Sequence, residues 1–325
     1  MIFLGGTIAS VADPEAGGNV PRLSGAEIIA RTPGLASIAD VVPSDLGLMP
    51  ASHFTSTKLF EVAGAIRAAL ADPTVDGVVI AQGTDSIEES AFFWDLVHES
   101  DKTAVVTGAM RASSDPGYDG PANLADAVGA AVAPALRGEG VLVALAGTVH
   151  AADDVVKMHA SSLSAFQSPN TGPLAFVEAG RVTVLRRRAG RRLVAATRAA
   201  ERVHLVTATV GIDGSLVDAA RAAGIDGLVV AASGVGNTSI GLLEAAMRAI
   251  DEGIPVALTT RAPAGRAGPI YAFPGAGAQW VRAGALLAGS LGGPKARIAL
   301  SLGIGAGLDD TALAALMADP APARG

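Results

Sequence analysis

Three short runs constrain the fold of this 325-residue chain more than any other feature: Val78-Val79-Ile80-Ala81, Ala104-Val105-Val106-Thr107 and Val141-Leu142-Val143-Ala144-Leu145. None of them alternates polar with apolar residues. A strand with one wet face alternates, so these runs predict strands buried on both faces, in a parallel sheet covered by helices. The segments between them carry helical spacing. Leu59, Val62, Ala63, Ile66 and Leu70 share one face, and Phe92, Phe93, Leu96 and Val97 form part of another. Pro121 to Ala133 reads as a third helix, opened by Asp119-Gly120-Pro121, where an acid and a proline suit a helix N-terminus.

A second alternating block follows residue 203. Strands are expected at Val203 to Thr209, Leu228 to Ala232 and Pro255 to Thr259, and helices at Leu216 to Ala223, Leu242 to Ile250 and Thr311 to Met317. The arginine-rich stretch between the blocks breaks the pattern and reads as an edge hairpin plus linker. The fold class is therefore α/β with two domains: a larger N-terminal domain, 1–178, with an open, mostly parallel sheet and flanking helices; a hairpin and linker, 179–202; and a smaller C-terminal α/β domain, 203–325. The tail from Asp319 to Gly325 is expected to fray. Half of the residues are hydrophobic and 17% are charged, enough apolar material for two cores.

Charge and targeting signals narrow the function classes. A formal charge of −7 lacks the broad basic field of a nucleic-acid surface. Arg186-Arg187-Arg188 and Arg191-Arg192 read as a solvated loop or strand edge. There is no cysteine, which removes disulfides and thiolate chemistry. No histidine spacing suits a metal, so no metal is expected; His98 reads as a helix-surface residue and His150 as a loop residue. No stretch reads as a membrane span or signal peptide, and the expectation is a cytoplasmic protein with no membrane partner. The first strand, Met1 to Leu4, is unusually short: either the natural chain begins upstream or the strand is simply clipped.

Two glycine turns carry the chemistry. Gly5-Gly6-Thr7 follows the first apolar residues, and Gln82-Gly83-Thr84-Asp85 follows Val78 to Ala81. Each puts a threonine where a strand of an open α/β sheet ends, which is where ligands bind in such folds. A threonine hydroxyl becomes a nucleophile when a neighbour takes its proton, so the pair suggests a hydrolase or transferase with a covalent ester intermediate. The plainer alternatives are a threonine that caps the next segment at Thr7, an N-cap at Asp85 with Glu88 and Glu89 in the first helical turn, and a surface lysine at Lys157 paired with Asp153 or Asp154. Gly234-Val235-Gly236-Asn237 lacks the rest of a dinucleotide loop and reads as a turn after the strand before it.

Taken in order, these segments resemble the bacterial L-asparaginase/glutaminase family over nearly the whole chain. The matching segments are Gly5 to Ser10, Gln82 to Glu89, Thr107-Gly108-Ala109-Met110-Arg111, Asp119 to Leu124, Phe166 to Leu174, Ser233 to Asn237 and Pro294-Lys295-Ala296-Arg297. The resemblance implies an amidohydrolase that turns L-asparagine into L-aspartate and ammonia, with L-glutamine as a further amide, no cofactor, and a homodimer or homotetramer with sites at the subunit interface. By it, Thr7 is the primary nucleophile. Thr84, Asp85 and Lys157 are a second set: the threonine positions or activates water, the lysine tunes it, and the aspartate binds the α-amino group. Ser52 matches a residue that holds the substrate carboxylate, His53 stands where the family often has glutamine, and the Ala109 carbonyl faces the side-chain amide. The alternatives are an amidase for another small amide or lactam, and a catalytically weak asparagine- or aspartate-binding protein.

The chain departs from the family pattern twice. The loop from Val11 to Leu23 holds no tyrosine, Val20 lying near its usual place, and Ala272 to Pro294 holds no acid. The chain has two tyrosines, Tyr118 and Tyr271, which the sequence does not place relative to the site.

Overall fold

All three non-alternating runs lie side by side in the middle of one sheet. The computed structural model describes residues 1–178 and 180–320, and the chain falls into two compact units, Met1–Arg191 and the part from Arg192 onward. In the first unit, β1 (Ile2–Phe3) leads through a single helical turn into a hairpin of β2 (Ser10–Asp13) and β3 (Gly18–Pro21). Next come β4 (Ser44–Asp45), β5 (Gly77–Ala81), β6 (Thr103–Thr107), β7 (Val141–Leu145) and β8 (Thr148–Ala151). A short pair, β9 (Val156–Lys157) and β10 (Phe166–Gln167), precedes the hairpin β11 (Ala175–Glu178) and β12 (Arg181–Val184).

Eight of these strands form one sheet in the order β12-β11-β8-β7-β6-β5-β1-β4. The stretch from β4 to β7 is parallel throughout. The remaining three strands are each antiparallel to their neighbour. The hairpin before the arginine stretch is thus the outer edge of the large sheet. Every residue of β6 and β7 is buried, which explains why their sequences do not alternate.

Four helices cover the sheet: α1 (Gly25–Ala30), α2 (Ser56–Ala71), α3 (Ile87–Leu96) and α4 (Gly120–Val132). The Thr55 side chain caps α2 by accepting from Lys58 N, and α2 buries Val62, Ala63, Ile66 and Leu70. Burying each of the three larger side chains contributes roughly 1.5–3 kcal/mol. Helix α3 is buried nearly all round, which is what its Phe92-Phe93-Trp94 run demands.

The second unit repeats the plan at smaller scale. Strands β13 (Val203–Thr207), β14 (Gly227–Ala232), β15 (Val256–Thr260) and β16 (Leu286–Leu287) lie in sequence order in one parallel sheet. Helices α5 (Ser215–Ala222), α6 (Ile240–Asp251), α7 (Gly277–Arg282), α8 (Gly293–Gly305) and α9 (Asp310–Met317) accompany them. Ser233 N donates to Asn237 O at 2.9 Å, closing the expected turn after β14. Asp319 is tied down by Arg192 at 2.9 Å and by Ser290, so the tail does not fray from that residue; residues 321–325 lie outside the described part.

Three expectations about charged and polar residues are overturned. The arginine stretch is solvated only in part: Arg187 is exposed, but Arg188 is buried between Asp95, at 2.8 Å, and Asp153, at 3.0 Å, and Arg191 also pairs with Asp95. Burial alone would raise the Asp95 carboxyl, but the guanidiniums of Arg188 and Arg191 outweigh it and hold it below the ordinary range. A buried carboxylate needs such partners, and a run of arginines read alone does not reveal that a carboxylate waits for it. His98 is buried, with Nε2 2.9 Å from Lys102 O. His150 is a strand residue, buried on β8 between Ser168 Oγ at 3.0 Å and Thr148 Oγ1 at 2.9 Å.

Candidate active site

Strands β1, β5 and β6 are adjacent and parallel, and each ends in a glycine turn at the same edge of the sheet. Gly6 shows why glycine is needed there. Its φ is +86°, and a Cβ on it would lie 2.2 Å from Gly83 N. Neither the backbone conformation nor the gap accepts a side chain. The Thr7 turn and the Thr84 turn therefore touch, backbone against backbone. Gly108, after β6, closes on the same point: a Cβ there would lie 2.6 Å from Gln82 O and 3.1 Å from Thr84 Cγ2. A fourth piece, the turn Ala51–His53, is pinned by Ser86 Oγ, which donates to Ala51 O at 3.0 Å. It brings Ser52 and His53, both exposed, beside the Gly83 turn, and Ala109 is buried next to Gly108.

Lys157 reaches this place from β9. Its ammonium donates to Thr84 Oγ1 at 2.9 Å and pairs with Asp85 Oδ1 at 3.0 Å. The surface pairing that its sequence neighbours suggest gives way to this one. Asp153 pairs with Arg188, and Asp154 accepts from the backbone and side chains of Asn170 and Thr171. Thr84 is buried and the Lys157 side chain mostly so, whereas the Asp85 side chain is 74% exposed, leaving a carboxylate open to a ligand. Asp85 does not cap α3: the helix starts at Ile87 after a separate single turn, Thr84–Ser86.

The Thr7 turn is held by its carbonyls. Gly6 O receives Ala9 N at 3.0 Å and Ser10 Oγ at 2.9 Å. Ile8 O receives the Tyr118 phenol at 2.8 Å, and Ser10 O receives Ser113 N and Oγ. Thr7 itself is half-buried, and among the described residues its hydroxyl engages no hydrogen-bond partner. It does not cap the turn it opens, whose N-cap position is Gly6.

Three supporting residues escape sequence reading. Glu88 reads as an ordinary acid in a first helical turn, yet its Oε2 accepts from Lys157 N at 3.1 Å, tying β9 to α3. Asp119 does not cap α4 but accepts from Met110 N and Arg111 N, ordering the turn that carries Ala109. Asn123 donates to Gly108 O at 3.0 Å and accepts from Ala146 N at 2.9 Å, bridging the turns after β6 and β7. The advance signals were that all three lie in segments resembling the family, and that Asp119 and Asn123 stand four apart at a helix start, one turn from each other; neither signal gives the partners.

A mostly parallel α/β sheet with two threonine turns packed together at its strand ends, one of them held by a lysine, defines the class. A family model for the N-terminal asparaginase domain matches residues 1–190, and one for the glutaminase/asparaginase C-terminal domain matches residues 202–317, so the chain belongs to the asparaginase family. A probable L-asparaginase of Deinococcus radiodurans is 35% identical, the match covering 95% of this chain and 94% of that one. An L-asparaginase of Bacillus licheniformis is 30% identical over 93% of this chain and 94% of its own length. The crystal structure of a probable cytoplasmic L-asparaginase from Campylobacter jejuni shares the fold with a TM-score of 0.85, at 27% identity and 97% coverage of both chains.

Proposed function

We propose that this protein hydrolyses the side-chain amide of L-asparagine to L-aspartate and ammonia through an ester on Thr7. The observation that carries this reading is the contact of the Thr7 turn with a turn whose threonine is already bonded to a lysine, Thr84 Oγ1 to Lys157 Nζ at 2.9 Å. The Thr7 hydroxyl attacks the amide carbon, its proton leaves with the departing nitrogen, and ammonia is released. Water then cleaves the ester, its proton returning to Thr7. Thr84 positions that water and Lys157 tunes Thr84 through their hydrogen bond. Asp85, open to solvent, takes the substrate α-ammonium, Ser52 and His53 take the α-carboxylate, and the Ala109 carbonyl takes the amide N–H. Fixing the amino-acid head this way converts a bimolecular encounter into a positioned one.

The same reading makes the working form a homodimer or homotetramer with sites at subunit interfaces. It also makes the enzyme cytoplasmic, supported by the description of the Campylobacter protein. Among the described residues no helix is long and apolar enough to cross a membrane. The test is ammonia release from L-asparagine, compared with L-glutamine, at neutral pH with no metal added. Release from asparagine supports the reading. Aspartate binding without any release would instead make the protein a binding protein built on the same clamp.

A further inference from the structure

The turn that carries Thr7 is fixed by a segment far away in sequence, the loop between β6 and α4. Ser113 holds Ser10 O from both its backbone and its hydroxyl, and Ser114 Oγ accepts from Ala12 N at 3.2 Å. Tyr118 holds the position next to Thr7 itself, its phenol 2.8 Å from Ile8 O. Ile8 is fully buried, so its carbonyl has no water to turn to if the phenol is removed. The tyrosine is in turn firmly seated. Its ring lies over the start of α4, where a Cβ on Gly120 would come within 2.3 Å of the phenol oxygen.

We propose that Tyr118 is a positioning residue for the reaction: by donating to Ile8 O it sets the backbone that presents the Thr7 hydroxyl, and it does not act as the base for Thr7. This rests on the reading of Thr7 as nucleophile. A carbonyl oxygen only accepts, so the phenol proton is committed to Ile8 and the phenol is a donor in the resting site. Burial, with the Asp119 carboxylate beside it, pushes the phenol up to about 12, which keeps it protonated across the working range. The chain lacks a tyrosine between Val11 and Leu23, and here a phenol from another loop serves the same turn through its backbone.

The test is Tyr118→Phe in the full chain, which deletes one oxygen, with Thr7→Ala in parallel. Active sites are counted by aspartate binding, so kcat is read per folded site. The expected result is a fall in kcat of roughly 3- to 30-fold, as a displaced nucleophile gives. KM for asparagine and inhibition by aspartate should stay within about twofold, because the groups that hold the amino-acid head sit on other loops. The shape of the kcat–pH profile should not change. A kcat per site equal to wild type overturns the proposal, as does a fall shared equally by substrate affinity. Loss of an ionisation from the pH profile, with a drop of roughly 10³-fold or more, would make Tyr118 the base and overturn it too. The two readings fail separately: an active Thr7→Ala sinks the nucleophile assignment, whereas an inactive Thr7→Ala beside a normal Tyr118→Phe sinks only the role of Tyr118.

Discussion

The two threonine turns touch, yet they are built in opposite ways. Thr84 is buried and its oxygen is engaged by the Lys157 ammonium. Thr7 is half-buried, its hydroxyl has no partner among the described residues, and its turn is held by backbone carbonyls instead. One hydroxyl is fixed in place; the other is presented by a fixed turn and left available. A group that must form and break a bond to substrate suits the second arrangement, and a group that steers a proton suits the first. The supports differ too. The Thr84 side rests on charged groups, the Lys157 ammonium on Thr84 and the Glu88 carboxylate on Lys157 N, while Asp154 and His150 brace the stretch after β10, the strand paired with β9. The Thr7 side depends on neutral donors.

The sharpest way to break the contrast is Thr7→Ala. Turnover should fall on the order of 10⁴–10⁶-fold, as when a nucleophile is removed, with the thermal midpoint close to wild type. An equal loss of turnover and of fold would mean the turn, and not the hydroxyl, is what matters. Next in size is Lys157→Met, which should cut kcat by roughly 10²–10⁴-fold with a smaller change in KM. A rise confined to KM would place the lysine with the binding groups. Thr84→Val should follow Lys157→Met, and the double variant should be less than additive because the two share one hydrogen bond.

Acid should separate the two sides. Burial lowers the His150 imidazole from 6.5 to about 4, so the folded protein keeps it neutral while the unfolded chain protonates. Stability attached to His150 is thus complete above pH 6.5 and is lost as pH falls toward 4, by about 3 kcal/mol from a shift of that size. Urea unfolding between pH 7 and 4 checks this, and His150→Gln should flatten the slope. The smallest effect is Asp85→Asn, which should raise KM for asparagine and weaken aspartate inhibition by about 1.5–3 kcal/mol. An unchanged KM would leave Asp85 with no role beyond its pair with Lys157.

What could be read from the sequence follows the same divide. The buried parallel strands were legible because an unbroken apolar run has few other uses. Helix α8 was not: Gly293 to Gly305 buries nine of its residues, small and large, on several faces, so no polar stripe marks its period. The glycine turns signalled where strand ends would pack together, because φ near +90° at Gly6 and close backbone approach at Gly6 and Gly108 demand glycine. The long-range supports stayed hidden. Nothing local in Glu88, Arg188 or Tyr118 shows that each reaches a partner 69 to 110 residues away.

The account turns on which hydroxyl carries the ester. Mixing enzyme with L-asparagine, quenching in acid within the first turnovers and mapping the digest by mass spectrometry decides it directly. The account expects an aspartyl ester on the peptide that contains Thr7, accumulating further in Thr84→Val as hydrolysis of the ester slows. An ester on the Thr84 peptide, or rapid ammonia release from Thr7→Ala, would contradict it.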